Sequence, residues 1–189
     1  MSSLRQRIPF NFNANADETE DTRILDEEEQ DNLINHLRAQ NEESNALYLR
    51  ILRAALGLSC FLHFVFLASP TKDSPLTVFL PTYVSGPLPF AIFFALLHIA
   101  VHFNLLLISW PNRPLILRNV EPFRYILMYA TSAVAPVLCI FLGLGFPNFL
   151  WWSMTPAIIL LHDTVHRSIL QGEESIAELE KLKYTAKGA

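Results

Sequence analysis

The 189-residue chain is 51% hydrophobic and 17% charged, with a mean hydropathy of +0.28, which is too apolar for an ordinary water-soluble domain and too short for two large ones. Its net charge is −4, and residues 1–50 hold eleven of the eighteen acidic groups against five of the fourteen basic ones, the opposite of what a nucleic-acid surface needs. Both cysteines, Cys60 and Cys139, sit inside apolar stretches, which argues against a disulfide framework, and they read as packing residues.

Residues 1–23 contain no apolar run that could act as a signal peptide, and their acidic residues argue against a mitochondrial presequence. They read as a disordered tail. From residue 24 to 50 the pattern is that of an acidic amphipathic helix. Asp26 is placed to cap it, with Glu29 three residues later, and the acidic cluster suits the positive end of the helix dipole. Leu33, Ile34 and Leu37 mark one apolar face, which is expected to bind a protein, either a partner or the tail helix of the same chain.

Four apolar stretches follow and predict a four-span membrane domain over residues 51–166. The first, 51–68, is flanked by Arg50 and Arg53 and closed by Ser69-Pro70. A proline-broken loop at 70–87 carries Val78, Phe79, Leu80 and Tyr83, apolar residues suited to a membrane surface. The second stretch, 88–110, is 23 residues long with no Asp, Glu, Lys or Arg, enough at about 1.5 Å per residue to cross a hydrocarbon core of about 30 Å. The third, 125–146, is interrupted by Pro136, which kinks a helix unless a neighbour satisfies the freed carbonyl. The fourth, 149–166, begins with Trp151 and Trp152 near an interface and contains Pro156. Residues 167–189 form a second acidic amphipathic segment and tail.

Basic residues flank the ends expected in the cytosol: Arg38, Arg50 and Arg53 before the first span, Arg113, Arg118 and Arg124 between the second and third, and Arg167, Lys181, Lys183 and Lys187 after the fourth. The two other loops hold only Lys72. The expected fold is therefore an all-α membrane protein, a bundle of four transmembrane helices with cytosolic amphipathic helices at both ends and both termini cytosolic. Short first and fourth spans fit a thin bilayer such as the endoplasmic reticulum.

Histidines supply the candidate chemistry. His98 and His102 are four residues apart in the second span, and His162 and His166 are four apart at the end of the fourth, beside Asp163; such spacing puts two imidazoles on one helix face. Depth separates the pairs. Measured from the cytosolic ends, His102 lies about 12 Å in, His98 about 18 Å and His162 about 7 Å, so the pairs are offset by about two turns. His63, alone in the first span beside Ser59, reads as a packing residue. Asp163 is expected to pair with Arg167 one turn on. No Gly-rich phosphate loop, Cys-x-x-Cys pair or nucleophile elbow is present, so no cofactor is expected.

These features favour a non-enzymatic membrane subunit or adaptor of an endomembrane complex, in contact with membrane lipids and binding a protein partner, but no nucleic acid, through its cytosolic helices. One alternative is a metal-dependent lipid-modifying enzyme using His98, His102, His162, Asp163 and His166. The other is a small transporter or lipid carrier shaped by Pro136 and Pro156.

Overall fold

A computed structural model describes residues 27–80, 86–110 and 121–183. Among these the chain is all-helical: α1 spans Glu27–Ala68, α2 Ala91–Ser109, α3 Tyr125–Phe141 and α4 Phe146–Lys181, with a 3-10 turn at Pro75–Val78. By length and composition α1 and α2 can cross a membrane, their most apolar 18-residue windows averaging hydropathies of 2.0 and 2.3, while α3 is apolar but only 17 residues long. The tail before residue 24, the Asp26 cap, Tyr83, Arg113, Arg118 and Lys187 lie outside the described residues.

The acidic segment and the first apolar stretch form one uninterrupted 42-residue helix, about 63 Å long at 1.5 Å per residue. Glu27, Glu28 and Glu29 occupy its first turn, where the helix dipole favours them. At its other end Lys72 donates to the Leu67 and Ser69 carbonyls at 2.7 and 2.6 Å, which satisfies carbonyls left open by the last turn. The third helix stops at Phe141, earlier than the expected 146, because Gly143 takes a left-handed φ of 63°. The Leu144 amide then bonds the Cys139 carbonyl at 3.0 Å and the Gly143 amide the Ile140 carbonyl at 3.1 Å, a Schellman stop. The fourth helix starts at Phe146 rather than 149. Pro147 falls in its first turn, where a missing N–H costs nothing, so that proline opens the helix instead of separating two spans.

Large apolar side chains face outward on every helix, including Phe61 at 61% exposed, Phe93 at 60%, Ile126 at 77% and Leu160 at 59%. Meanwhile Ser59, His63, His98, His102, Ser132 and Thr155 are buried. These polar groups lie between two apolar clusters. One contains Phe66, Phe94, Ala135, Cys139, Trp151 and Trp152, the other Leu52, Leu56, Val101, Leu105, Met128 and Ile159. So apolar an exterior suits a surrounding medium that is itself apolar.

Beyond the bundle α1 and α4 continue side by side and antiparallel. On α4, Ile169, Gly172, Ile176 and Leu179 are half-buried while their neighbours are exposed, an alternating three- and four-residue seam like that of a coiled coil, which Lys183 continues just past the helix end. On α1, Ile34 is buried and Leu33, Leu37 and Asn41 are half-buried. Arg38 donates to Glu180 at 2.6 Å and Lys183 pairs with Asp31 across the seam. Gly172 admits the Asn41 side chain, whose Oδ1 would lie 2.7 Å from a Cβ at that position.

Candidate functional site

The polar layer is built by helical spacing. Ser59 and His63 are one turn apart on α1, His98 and His102 one turn apart on α2, and Thr155 projects from α4 one turn beyond Trp151. His63 Nδ1 lies 2.8 Å from the Ser59 carbonyl and His102 Nδ1 2.6 Å from the His98 carbonyl. A carbonyl can only accept, so both rings carry their proton on Nδ1 and leave Nε2 as an acceptor. His102 Nε2 takes the Ser59 hydroxyl proton at 2.8 Å. His98 Nδ1 sits 2.9 Å from Thr155 Oγ1 and 3.3 Å from His63 Nε2, while Thr155 Oγ1 is 3.5 Å from His63 Nε2. Trp151 stacks on His63 with ring centroids 5.3 Å apart, and the Trp152 edge meets His98 at 5.4 Å. The two tryptophans expected at an interface are thus 2% and 1% exposed and wall in the imidazoles.

Pro136 has no N–H to give to the carbonyl four residues earlier, that of Ser132. The other face of His98 turns toward this freed carbonyl, although Nε2 does not reach standard hydrogen-bond geometry with any group. Proline, carbonyl and imidazole therefore belong to one arrangement across α2 and α3.

His162 belongs to a separate chain nearer the other end of the bundle. Tyr125 OH lies 2.8 Å from its Nδ1, its Nε2 lies 2.7 Å from Ser109 Oγ, and Ser109 Oγ donates to the Leu105 carbonyl at 3.0 Å. Since the Ser109 proton goes to a carbonyl, Nε2 is the donor to Ser109 and Nδ1 the acceptor from tyrosine. One directed chain thus ties α3, α4 and α2. Arg53 of α1 donates to the Ser109 carbonyl at 2.8 Å and so joins α1 to it as well.

Asp163, also buried, accepts two bonds from Arg167, at 3.0 and 2.9 Å, and this carboxylate raises the Arg167 guanidinium above its usual value. His166 is exposed on the surface of α4. The two histidine pairs therefore do not converge: His98 and His102 meet His63, His162 meets Ser109 and Tyr125, and His166 meets neither group. Among the described residues no three His, Cys, Asp or Glu side chains form a group able to hold a metal ion. Asn104 bonds the Phe123 main chain at 2.8 and 3.3 Å and joins neither histidine group.

The sequence reading took His63 for a packing residue and did not single out Thr155 or Tyr125, while Ser109, a hydrogen-bonding candidate for His98 and His102, meets His162 instead. The signal for His63 is its position one turn from Ser59 on the face that also presents Leu52, Leu56 and Phe66; Thr155 had none beyond its polarity in an apolar stretch.

In the extension, the apolar face of Leu33, Ile34 and Leu37 is turned toward the seam with α4. Its flank is an open groove of about 270 Å³ between the helices, lined by Arg38, Glu42, Asn45, Glu173, Ile176 and Glu180 among others. The Glu180 carboxylate raises the Arg38 guanidinium above its usual value. No protein-family model fits the chain, and neither curated proteins nor solved structures give a match.

Proposed function

We propose that the chain is a four-span, non-enzymatic adaptor of an endomembrane, the endoplasmic reticulum by span length, whose α1–α4 extension lies in the cytosol and holds a protein partner. One observation carries this reading. Two helices run without a break from a bundle with an apolar exterior into an ion-paired, acid-rich helix pair. The outward apolar side chains of α3 and α4 support spans in those helices as well, since water would leave them unpaired. Arg50 and Arg53 on α1 and Arg167 on α4, where the two helices leave the apolar bundle, favour a cytosolic extension.

Because the Leu33, Ile34 and Leu37 face is engaged by the chain's own seam, the partner surface is the exposed acidic flank. Glu42, Glu43, Glu173, Glu174 and Glu178 are exposed there, and they suit a basic protein surface. The test is purification of the full chain in a mild detergent beside a Glu42→Lys, Glu173→Lys variant. These two substitutions leave both cross-helix ion pairs in place. A near-stoichiometric partner lost from the variant is expected. Equal recovery from both chains refutes the assignment of this flank.

A further inference from the structure

α2 and α3 do not close fully on each other. Asn104 ties them at one point, where its side chain meets the Phe123 main chain at 2.8 and 3.3 Å. Beside that tie lies a groove of about 220 Å³, with Leu97, Ala100 and Asn104 on one wall and Leu127, Met128 and Thr131 on the other. Met128 is buried at its floor, while Ala100 and Leu127 are exposed at its rim. From Leu97 to Asn104 the groove follows α2 for about 10 Å at 1.5 Å per residue. Its two polar side chains are turned to the chain itself: Thr131 Oγ1 donates to the Leu127 carbonyl at 2.9 Å, and both ends of the Asn104 amide are engaged by Phe123. Inside, the groove therefore offers hydrocarbon alone.

Charge stands at one end of it. Arg124 precedes Leu127 and Met128 by one turn, which puts it on the same face of α3 at the end where the α1–α4 extension leaves the bundle. It is exposed and in no ion pair among the described residues. Around this end the described residues place four guanidinium groups, Arg50, Arg53, Arg124 and Arg167, against two carboxylates, Glu121 and Asp163, and Asp163 is already held by two bonds from Arg167. An apolar slot with an unpaired cation at its mouth matches a hydrocarbon chain that ends in an anion. We propose that the α2–α3 groove binds one anionic phospholipid of the cytosolic leaflet, with an acyl chain between the helices and the headgroup phosphate against Arg124. A zwitterionic lipid brings the same phosphate together with an ammonium that the surplus of guanidinium groups repels, and this difference selects between them. The site rests on α2 and α3 crossing the bilayer and is independent of the adaptor role.

The test is native mass spectrometry of the full chain released from nanodiscs of equal phosphatidylserine and phosphatidylcholine. One phosphatidylserine per chain is expected, retained about fivefold over phosphatidylcholine. Arg124→Gln should bring the two lipids to parity, and Ala100→Phe, which fills the groove from its exposed rim, should remove both. Inorganic phosphate in excess should displace neither. Equal retention of the two lipids by the wild type overturns the site, as does phosphatidylserine held unchanged by Ala100→Phe. Displacement by inorganic phosphate also overturns it, because the anion alone then accounts for binding. If Ala100→Phe does not fold, Arg124→Gln decides: a preference equal to wild type counts against the site. A chain that retains no lipid, yet labels at cysteines replacing Thr71 and Ser175 from opposite sides of sealed vesicles, refutes the groove and leaves the membrane crossing standing.

Discussion

Tyr125, His162 and Ser109 form a chain in which each proton has one assigned direction, and that direction predicts how substitutions combine. Tyr125→Phe removes the donor to His162 Nδ1 and leaves that nitrogen without its bond at 2.8 Å; Ser109→Ala strands the Nε2 proton that is now held at 2.7 Å. A stranded buried group costs about 1–3 kcal/mol, whereas hydrogen bonds between membrane helices average about 0.6 and reach about 1.7 kcal/mol, so each single change should cost about 1–2 kcal/mol. His162→Leu strands only the tyrosine hydroxyl, since Ser109 keeps the Leu105 carbonyl, and should cost about 1 kcal/mol. The three singles then sum to about 3–5 kcal/mol. The triple variant strands nothing, because all three polar groups leave together, and should lie within about 1.5 kcal/mol of wild type. Reversible unfolding in bicelles, followed by steric trapping on α2 and α4, measures all four chains. A triple variant that loses the full sum refutes the chain and makes the three residues independent packing contacts.

Gly172→Ala sets two small effects against each other. The added methyl displaces Asn41 Oδ1 from 2.7 Å, and Asn41 borders an open groove into which it can turn. Alanine gains about 1 kcal/mol of helix propensity, so the melting temperature should hold or rise; a clear fall means that the glycine contact itself closes the seam. Phe90 adopts a left-handed φ of 60° and is 79% exposed, so Phe90→Asn should stabilise the chain by about 0.5–1 kcal/mol in thermal unfolding, and destabilisation would show that the ring is anchored outside the chain. Cysteines at Asn41 and Gly172 should cross-link on mild oxidation, while failure to do so would dismiss the antiparallel seam. Cysteines at Thr71 and Ser175 should label from opposite sides of sealed vesicles, and labelling from one side rules out an odd number of crossings between them.

Much of the helical layout was legible because apolar runs in α1, α2 and α3 are long and bounded by Pro, Gly or charge. The ends of α3 and α4 were not. Hydropathy continues through Leu142 and Leu144, whereas the stop comes from the φ of Gly143, which composition does not record. The axial offset between the two histidine pairs follows from rise per residue alone and is visible in their separate partners. Which groups they meet depends on the rotation of each helix about its axis, and four-residue spacing leaves that rotation open. Hence His63, read as a packing residue, shares the layer with His98 and His102, and the serines and threonine between them became evident only once three helices were juxtaposed. Pro136 was readable as a freed carbonyl, but the side chain that turns toward it comes from α2.

The uninterrupted course of α1 has a mechanical consequence. Arg38, held to the far end of α4, and His63, in the polar layer, are on the same helix, 25 residues and about 38 Å apart, with no proline between them. Such a rod resists bending and twisting better than any loop. A load applied at its outer end, as a pull, a tilt or a torque, is therefore delivered to the imidazoles with little taken up on the way. The bundle interior is in this sense the fulcrum of a lever whose long arm is the α1–α4 extension.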